Sequence, residues 1–527
     1  MKKDSEHPPA DQPVRRELDE LRKRKAKNLD AARPAAVAKR RMAHQRTVRE
    51  NVDDLCDPGS FTEYGGLTVA AQRSRLSEEE LIAVSPADGM VAGLGTVNAG
   101  TFGEEKARCM VLAYDFTVFA GTQGMMNHKK HDRMLTLAGQ WKLPIVLFAE
   151  GGGGRPNDFD MNVMAGLDLQ TFTLFAKLSG SAPKIGIVSG YCFAGNAVLL
   201  GCCDVIIATE NSNLGMGGPA MIEGGGLGVV DPKEIGPIQI QASNGGIDIR
   251  VADEAAAVAA AKKYLSYFQG PLPTWECGDQ TKLLDLIPEN RRRAYLIRKV
   301  ISGLADVDSV LELRPEFGRS MITGFLRIEG RPSGFIANDP RHLGGAIDGD
   351  ASDKAARFMQ LCDAFGIPII SFCDTPGFMV GPEAEKRALV RHTSRMFVTA
   401  AALTVPFFTV VLRKAYGLGA MAMSMGSMHS PFFTVAWPTG EFGAMGLEGA
   451  VKLAFKKQLA EVKDDAERES MNQQLIQMAY DRGKALNIAS FLEIDDVIDP
   501  ADTRAWILRG LKSVGEIPKS RRMIDTW

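Results

Sequence analysis

An α/β fold built twice over is what this sequence predicts, and three observations predict it. Short runs of consecutive apolar residues alternate with longer helix-patterned segments, as buried strands do in a layered α/β protein. The same texture restarts after a proline-rich stretch near the middle of the 527 residues. The two halves also match at an offset of about 224 residues, where LPIVLFAEGGGG (143–154) aligns with IPIISFCDTPGF (367–378). In both, a proline opens a strand and an acid, Glu150 or Asp374, closes it before a glycine turn. From Glu150 to Gly195, and from Asp374 to Gly419, the spacing is the same 45 residues, with a long helix and Pro183 or Pro406 between. Features in register at one offset argue for a duplicated domain. A chain this long also exceeds one hydrophobic core.

Taken in order, residues 1–12 are polar and proline-containing, the composition of a frayed arm. Residues 15–51 are dense in Lys, Arg, Leu, Glu and Ala and predict two helices broken near Pro34. Over residues 1–50 there are 15 Lys/Arg against 8 Asp/Glu, so this arm is basic while the rest of the chain is acidic. It is expected to be a solvated basic face, to sit near a phosphate-bearing ligand, or to pack across a subunit boundary. Strands are then expected over 87–96, 108–119 and 144–150, and helices over 127–140 and 162–180. A buried strand at 185–188, another at 204–209 and an Asp253-capped helix over 253–268 follow. The prolines at 271, 273 and 288 mark a connection. A helix over 291–303 leads into strands 319–328 and 331–338. Next come a helix 352–365 closed by Gly366, a strand 369–373, a helix 383–403 and a strand 407–412. Helices over 448–462, 465–486 and 502–514 end the chain. The expected divisions are a basic helical arm at 1–56, a first domain at 57–285 and a second at 286–527.

Composition narrows the function classes. Hydrophobic content of 45% and charged content of 24% are those of a soluble globular protein. A net charge of −2 argues against general nucleic-acid binding. No apolar run is long enough to cross a bilayer, and the N-terminus has no signal core, so membrane insertion and secretion are not expected. The eight cysteines form no CxxC pair, which leaves a zinc ribbon and any metal site unsupported and favours buried thiols in a reducing cytoplasm.

Two stretches carry the chemistry: SGYCFAGNA (189–197) and its echo RKAYGLGAMAM (413–423). Each takes an apolar strand through a turn of small residues into a helix. The N–H groups at a helix N-terminus have no partner within the helix, and such donors can hold a carbonyl oxygen that turns negative during a reaction. Two like turns imply two carbonyl-binding sites. Glu150-Gly-Gly-Gly-Gly-Arg155 lacks the GK[ST] ending of a nucleotide loop. Glu150 and Asp374 are read as caps of the loops after their strands. Met421, Met423 and Met425 read as core packing or as an adaptable pocket lining. His128 and His131 read as residues of a loop, or of the surroundings of a phosphate, rather than as acid or base.

These motifs resemble the carboxyltransferase (β) subunits of biotin-dependent acyl-CoA carboxylases, the group that contains propionyl-CoA and methylcrotonyl-CoA carboxylases. The resemblance runs from about Arg41 to the C-terminus. RTVRENVDDLCDPGSFTE (46–63), YDFTVFAGTQG (114–124), DTPGFMVG (374–381), RKAYGLGAM (413–421) and AWPTGEFGAMG (436–446) carry it. It implies two tandem crotonase-like domains of ββα superhelix type, with acyl-CoA on the first and carboxybiotin on the second. It implies CO2 transfer to the α- or γ-carbon of an acyl-CoA thioester through an enolate. Backbone N–H groups then do the work of a catalytic side chain. The family's AGGA turn maps onto Ala194-Gly195-Asn196-Ala197, which puts the thioester donors on Gly195 and Asn196. The asparagine is expected to narrow the site or to add an amide donor. The family's RKAYGGA maps onto RKAYGLGA. The biotin-side donors fall on Leu418 and Gly419, or, with a shift of one, on Gly419 and Ala420. Phe193, Ala194, Gly152 and Gly153 are implied around the acyl-CoA. Lys129, Lys130 and Arg133 are offered to its phosphates, against a solvated cationic turn. Tyr416, Gly417, Met421, Gly377 and Phe378 are implied on the biotin side. Propionyl-type members carry an Asp close after the second turn, and 421–425 offers none, which speaks against propionyl-like selectivity.

No biotin attachment site and no ATP-grasp texture stand in the chain. A biotin carboxylase and a biotin carboxyl carrier subunit are therefore expected as partners of a hexameric core. Each site of that core would join the first domain of one chain to the second of another. The alternatives are a biotin-dependent decarboxylase subunit and a non-catalytic scaffold.

Overall fold

Buried β-runs dictate two mixed sheets. The computed structural model describes residues 15–156, 158, 160 and 166–527. The arm at 1–12 and the start of the helix expected over 162–180 lie outside the described residues. The first half holds β1 (Thr62–Tyr64), β2 (Met90–Thr96), β3 (Arg108–Tyr114), β4 (Ile145–Phe148), β5 (Lys184–Val188), β6 (Tyr191–Phe193), β7 (Val205–Thr209), β8 (Asn213–Gly215) and β9 (Ile249–Val251). The second holds β10 (Leu311–Leu313), β11 (Met321–Ile328), β12 (Arg331–Asn338), β13 (Ile369–Thr375), β14 (Phe407–Tyr416), β15 (Phe433–Ala436), β16 (Glu441–Gly443) and β17 (Asp496–Val497). The sheet orders are β1-β2-β3-β4-β5-β7-β9 and β10-β11-β12-β13-β14-β15-β17, with β16 beside β14 and a separate β6–β8 pair. In each sheet the first three strands are antiparallel and the rest parallel. The parallel strands are buried on both faces, which is why they read as unbroken apolar runs.

The duplication holds residue by residue through the middle of each half. The helices Met125–Trp141 and Gly349–Phe365 begin and end 224 residues apart. So do the left-handed turns ahead of them, Phe119-Ala120-Gly121 and Leu343-Gly344-Gly345, and the left-handed caps behind them, Lys142 and Gly366. The isolated bridges Gln123–Gly154 and Ile347–Phe378 keep the same offset.

Lys130 and Lys354 are a further such pair, and this corrects the phosphate role considered for Lys130. Lys130 is buried, and its Nζ donates to the carbonyls of Ala87 and Met90. Lys354 donates to Arg314, Phe317 and Met321 at 2.7–2.9 Å. Each lysine thus ties down the carbonyls where β2 or β11 begins. Burial pulls them to about 8 and about 7, respectively.

Several expected helices differ in extent. The helix expected over 162–180 is only Thr171–Ala176 among the described residues, because Gly166 turns the chain at positive φ and 166–170 forms no regular element. The helix expected from 291 starts at Ile297. The one expected over 383–403 is broken into Pro382–Glu385 and Leu389–Ala401 by a left-handed Ala388. β1, β6 and β8 have three residues each, too short to announce themselves as alternation.

One continuous core joins the halves. The helix Glu254–Gln269, which follows β9, lays Tyr264 and Tyr267 on Phe325 of β11 at 5.7 and 5.1 Å between ring centres.

The basic arm packs on its own domain. It forms the helices Arg16–Ala26, Pro34–Met42 and Val48–Leu55, the last closed by a Thr47/Glu50 capping box. Arg33 pairs with Asp115 at 2.6 Å, and Arg40 with Glu150 at 2.8 Å and Glu254 at 3.6 Å. The duplication explains why Arg40 is needed. Asp374, the counterpart of Glu150, is held by Arg413 of its own half at 3.2 Å. Where Arg413 would recur the first half has Gly190, on which a Cβ would stand 2.5 Å from Glu150 Oε1, and the arm delivers the missing cation. Both acids are therefore buried ion-pair members rather than the loop caps expected.

Burial raises the Glu150 carboxyl to about 7 against the pull of Arg40. The folded chain thus holds this proton more tightly than the unfolded chain, and ionising Glu150 costs stability as pH rises through that window. Arg40→Met removes the compensation. It is expected to cost about 3–5 kcal/mol, more at about pH 8 than at about pH 5. Urea unfolding midpoints at the two pH values check this, and an equal loss at both would contradict it.

Candidate active site

The first turn is built where the chain leaves β5. After Ser189 and Gly190 it forms β6, and Ala194 then takes φ 51°, ψ −123°, a conformation costly for any residue with a Cβ. That one residue turns strand into helix, and the helix Gly195–Gly201 follows. The first helical N–H returned to a carbonyl is that of Val198, to Ala194 at 2.9 Å. Those of Gly195, Asn196 and Ala197 lie ahead of the helix's own acceptors.

The side chain of Asn196 is fully buried and both ends of its amide are engaged. Oδ1 accepts from the Gly153 N–H at 3.0 Å, and Nδ2 donates to the Gly121 carbonyl at 3.3 Å. The amide is therefore not an added free donor, which corrects that expectation. It staples the glycine loop 151–154 and the turn at Gly121 to the start of the helix. The space it fills is left by glycines: a Cβ on Gly151 would stand 2.5 Å from Nδ2. Gly153 is crowded likewise, since a Cβ there would come 2.6 Å from the Cβ of Ala194. Gln123 backs the turn from the other side. It is buried, donates to the Tyr114 hydroxyl at 2.9 Å, and lies where a Cβ on Gly195 would fall.

The second turn follows β14. Tyr416 is the N-cap of the helix Gly417–Ala422, in which Gly417, Leu418 and Gly419 are the first three residues. Ala420 is fourth, where the intrahelical ladder begins. Gly417 is left-handed at φ 56°, and a Cβ on it would meet the Ala444 carbonyl at 2.9 Å. A Cβ on Gly419 would stand 2.6 Å from both Cα and C of Gly377. Backbone thus lies directly on backbone here. The Tyr416 hydroxyl donates to Glu441 at 3.0 Å, and burial raises the Glu441 carboxyl.

Strand register corrects the pairing of the two turns. Phe148 lies opposite Ile187 in one sheet and Phe372 opposite Val410 in the other. The first members are 224 apart and the second 223, so the second half has one residue fewer between its strands. The equal spacing of 45 therefore matches the wrong residues. Gly195 corresponds to Leu418 and Asn196 to Gly419. The contacts agree, since Asn196 lies against Gly153 and Gly419 against Gly377, its counterpart.

The other expected residues divide. Phe193 is buried and stacks on Tyr191 at 5.8 Å. The Gly152 N–H donates to the Ala120 carbonyl. Phe378 tilts onto Phe397 at 6.2 Å. Leu418 and Met421 keep 62% and 37% of their surface exposed beside the second turn. Lys129 and Arg133 are exposed on the helix Met125–Trp141. His128 and His131 are buried in that helix, bonded to Thr171 at 2.9 Å and to the Tyr114 hydroxyl at 3.2 Å, respectively. Burial pushes His131 down to about 3, so it is a neutral packing residue. This corrects the loop surroundings expected for both. Met423 is fully buried and Met425 packs against the core. The residues that sequence reasoning passed over are Gln123, Gly121 and Arg40. Gln123 and Gly121 stand in the YDFTVFAGTQG motif, but only their contacts reveal what they support.

A cavity of about 880 Å3 opens among Pro144, Pro183, Pro332 and Pro368. These residues stand where β4, β5, β12 and β13 begin, whereas both turns follow the ends of strands. It is thus distinct from the candidate site.

A carboxyl transferase domain model matches residues 39–520. The chain is 31% identical over 514 residues to the biotin-dependent long chain acyl-coenzyme A carboxylase beta4 subunit of Mycobacterium tuberculosis, covering 94% of this chain and 93% of that one. Among solved structures, a single-chain, multi-domain long-chain acyl-CoA carboxylase superimposes with a TM-score of 0.90 at 57% identity. That match covers 94% of this chain, which spans about half (49%) of the length of that protein. Transcarboxylase 12S, solved as a hexamer with methylmalonyl-coenzyme A bound, matches at 29% identity with a TM-score of 0.82, covering 96% and 99% of the two chains.

Proposed function

The chain belongs to the carboxyl transferase family, and from that premise we propose how its two turns divide one reaction between them. The protein is an acyl-CoA carboxylase carboxyltransferase, moving CO2 from carboxybiotin to an acyl-CoA thioester. The Gly195 and Asn196 N–H groups hold the thioester oxygen as the α-carbon becomes an enolate. The Leu418 and Gly419 N–H groups hold the biotin ureido oxygen. Fixed backbone dipoles suit both tasks, because they need no proton at the moment charge develops. Carboxybiotin supplies the CO2 and a nitrogen that takes the α-proton. Backbone alone sets the second donor pair, since a Cβ on Gly419 would stand 2.6 Å from Cα and C of Gly377. Asn196, Gln123 and the 151–154 loop keep the first donor pair rigid without facing the chemistry.

The duplicated turn with unpaired N–H groups is the observation that carries this reading. Each half is of crotonase type, with the acyl-CoA half at 57–285 and the biotin half at 286–527. Biotin arrives on a carrier from another polypeptide or domain. The hexamer of transcarboxylase 12S supports a hexameric core in which turns from different chains face each other. Exposed Val380, Leu418 and Met421 around the second turn suit such a contact. All eight cysteines are free, which supports a cytoplasmic location. Among the described residues no helix is long and apolar enough to cross a membrane.

Supplied with a biotin carboxylase, a biotinylated carrier, ATP and labelled bicarbonate, the protein is expected to fix label into an acid-stable acyl-CoA product. Fixation without the carrier, or none with the complete set, would overturn the assignment.

A further inference from the structure

The strands of both halves begin on the face away from the two turns, and there the chain leaves the cavity of about 880 Å3. Its walls repeat with the duplication. Arg108, Lys142 and Pro144 line it from the first half, and Pro332, Gly366 and Pro368, each 224 residues on, line it from the second. Leu265 and Phe268, with Leu511 and Ile517, add apolar surface. The chain past the helix Thr503–Ser513 crosses this seam. There the Ser520 hydroxyl donates to the Asp363 carbonyl at 3.1 Å, and a Cβ on Gly180 would strike the Arg522 carbonyl. The tail is thus pinned to both halves, and it brings Lys519 and Arg521 to the cavity.

Charge is the second observation. Lys106, Arg108, Lys142, Arg331, Lys519 and Arg521 line the cavity against two acids, Glu105 and Glu516. Glu105 is taken up by Arg108 at 3.8 Å. Among the described residues, Lys142, Arg331, Lys519 and Arg521 pair with no carboxylate. Burial weakens the hold of Lys519 on its proton, and the Arg521 and Lys142 charges weaken it further. These three cations stand close enough to repel one another, and an anion among them would relieve that repulsion. A bare inorganic ion would leave the apolar wall and most of the space unused. The volume lies within the about 300–1,000 Å3 of ordinary small-molecule sites. Trp141 lines the cavity beside Lys142 and keeps 66% of its surface exposed, an open aromatic face on which a nucleic-acid base can stack.

We propose that this cavity binds a nucleoside di- or triphosphate, with its phosphates on Lys142, Lys519 and Arg521 and its base on Trp141. The site goes beyond the transfer reaction, since none of its lining residues belongs to either turn. Its ligand touches both halves and the tail at once, so binding is expected to raise the thermal midpoint as well.

Titration calorimetry of the full chain with ADP, adenosine and inorganic pyrophosphate tests this. ADP is expected to bind at least about fivefold more tightly than either of its parts. Lys142 and Arg521 both have positive φ, which asparagine tolerates, so Lys142→Asn and Arg521→Asn are expected to fold. Each is expected to weaken ADP and pyrophosphate alike by at least about tenfold. Trp141→Ala is expected to weaken ADP at least about fivefold and to leave pyrophosphate within about twofold. Pyrophosphate as tight as ADP, with Trp141→Ala without effect, would make this a site for an inorganic anion and overturn the nucleotide assignment. ADP affinity unchanged in both asparagine variants would place ADP elsewhere on the chain and overturn the site, as would no binding of ADP at all. Labelled bicarbonate fixation reads the transfer function separately from each of these outcomes.

Discussion

Gly419→Ala is expected to lower carboxyl transfer about 10²- to 10³-fold while the protein stays folded. The added Cβ would stand 2.6 Å from Cα and C of Gly377 and 3.0 Å from the Phe378 nitrogen. All three are backbone atoms, so no side chain can swing aside. Relief must come from parting the two strands of backbone, and that moves the Leu418 and Gly419 N–H groups off the oxygen we propose they hold. Losing one such donor costs a rate factor of about this size, because nothing else in a dry site can replace it. The test is steady-state transfer with the reconstituted partner, alongside circular dichroism and a thermal midpoint. Transfer within about threefold of the wild type, with the fold intact, would remove Gly419 from the site.

Asn196→Gly is expected to destabilise the protein by about 2–5 kcal/mol, although glycine is what the resemblance leads one to expect there. The backbone N–H survives, so an argument from donors alone predicts no effect. The structure predicts otherwise. Without the amide, the Gly153 N–H and the Gly121 carbonyl lose their partner inside the protein, and each buried orphan costs about 1–3 kcal/mol. Glycine also adds freedom to the start of the helix. The 151–154 loop then loosens against Ala194, and transfer is expected to fall as well. Urea unfolding midpoints and transfer rates measure the two effects separately. A variant as stable and as fast as the wild type would show that the asparagine staples nothing.

The two turns, the acids before them and the duplication were legible because each rests on local chemistry. Small residues permit close backbone approach, a proline opens a strand, and unbroken apolar runs mark strands buried on both faces. The misreadings share one physical cause. Lys130, His128 and His131 look like a cationic, titratable cluster, yet the helix that carries them is buried along one side, and that side takes their polar atoms inward. The basic arm looks like a solvated face because charge patterning does not reveal that a buried carboxyl in another segment lacks a cation.

SGYCFAGNA and RKAYGLGAMAM were recognisable by themselves as strand-to-helix turns with spare donors, and that much the chain order determines. A donor at a helix start depends on the few residues around it. Which residues correspond was decided only by strand register, where one missing residue shifts Gly195 from Gly419 to Leu418. What Asn196 does was decided only by packing, because an amide bonds to whatever backbone lies within about 3 Å. For Asn196 that backbone is Gly121 and Gly153, which the fold brings in from 75 and 43 residues away.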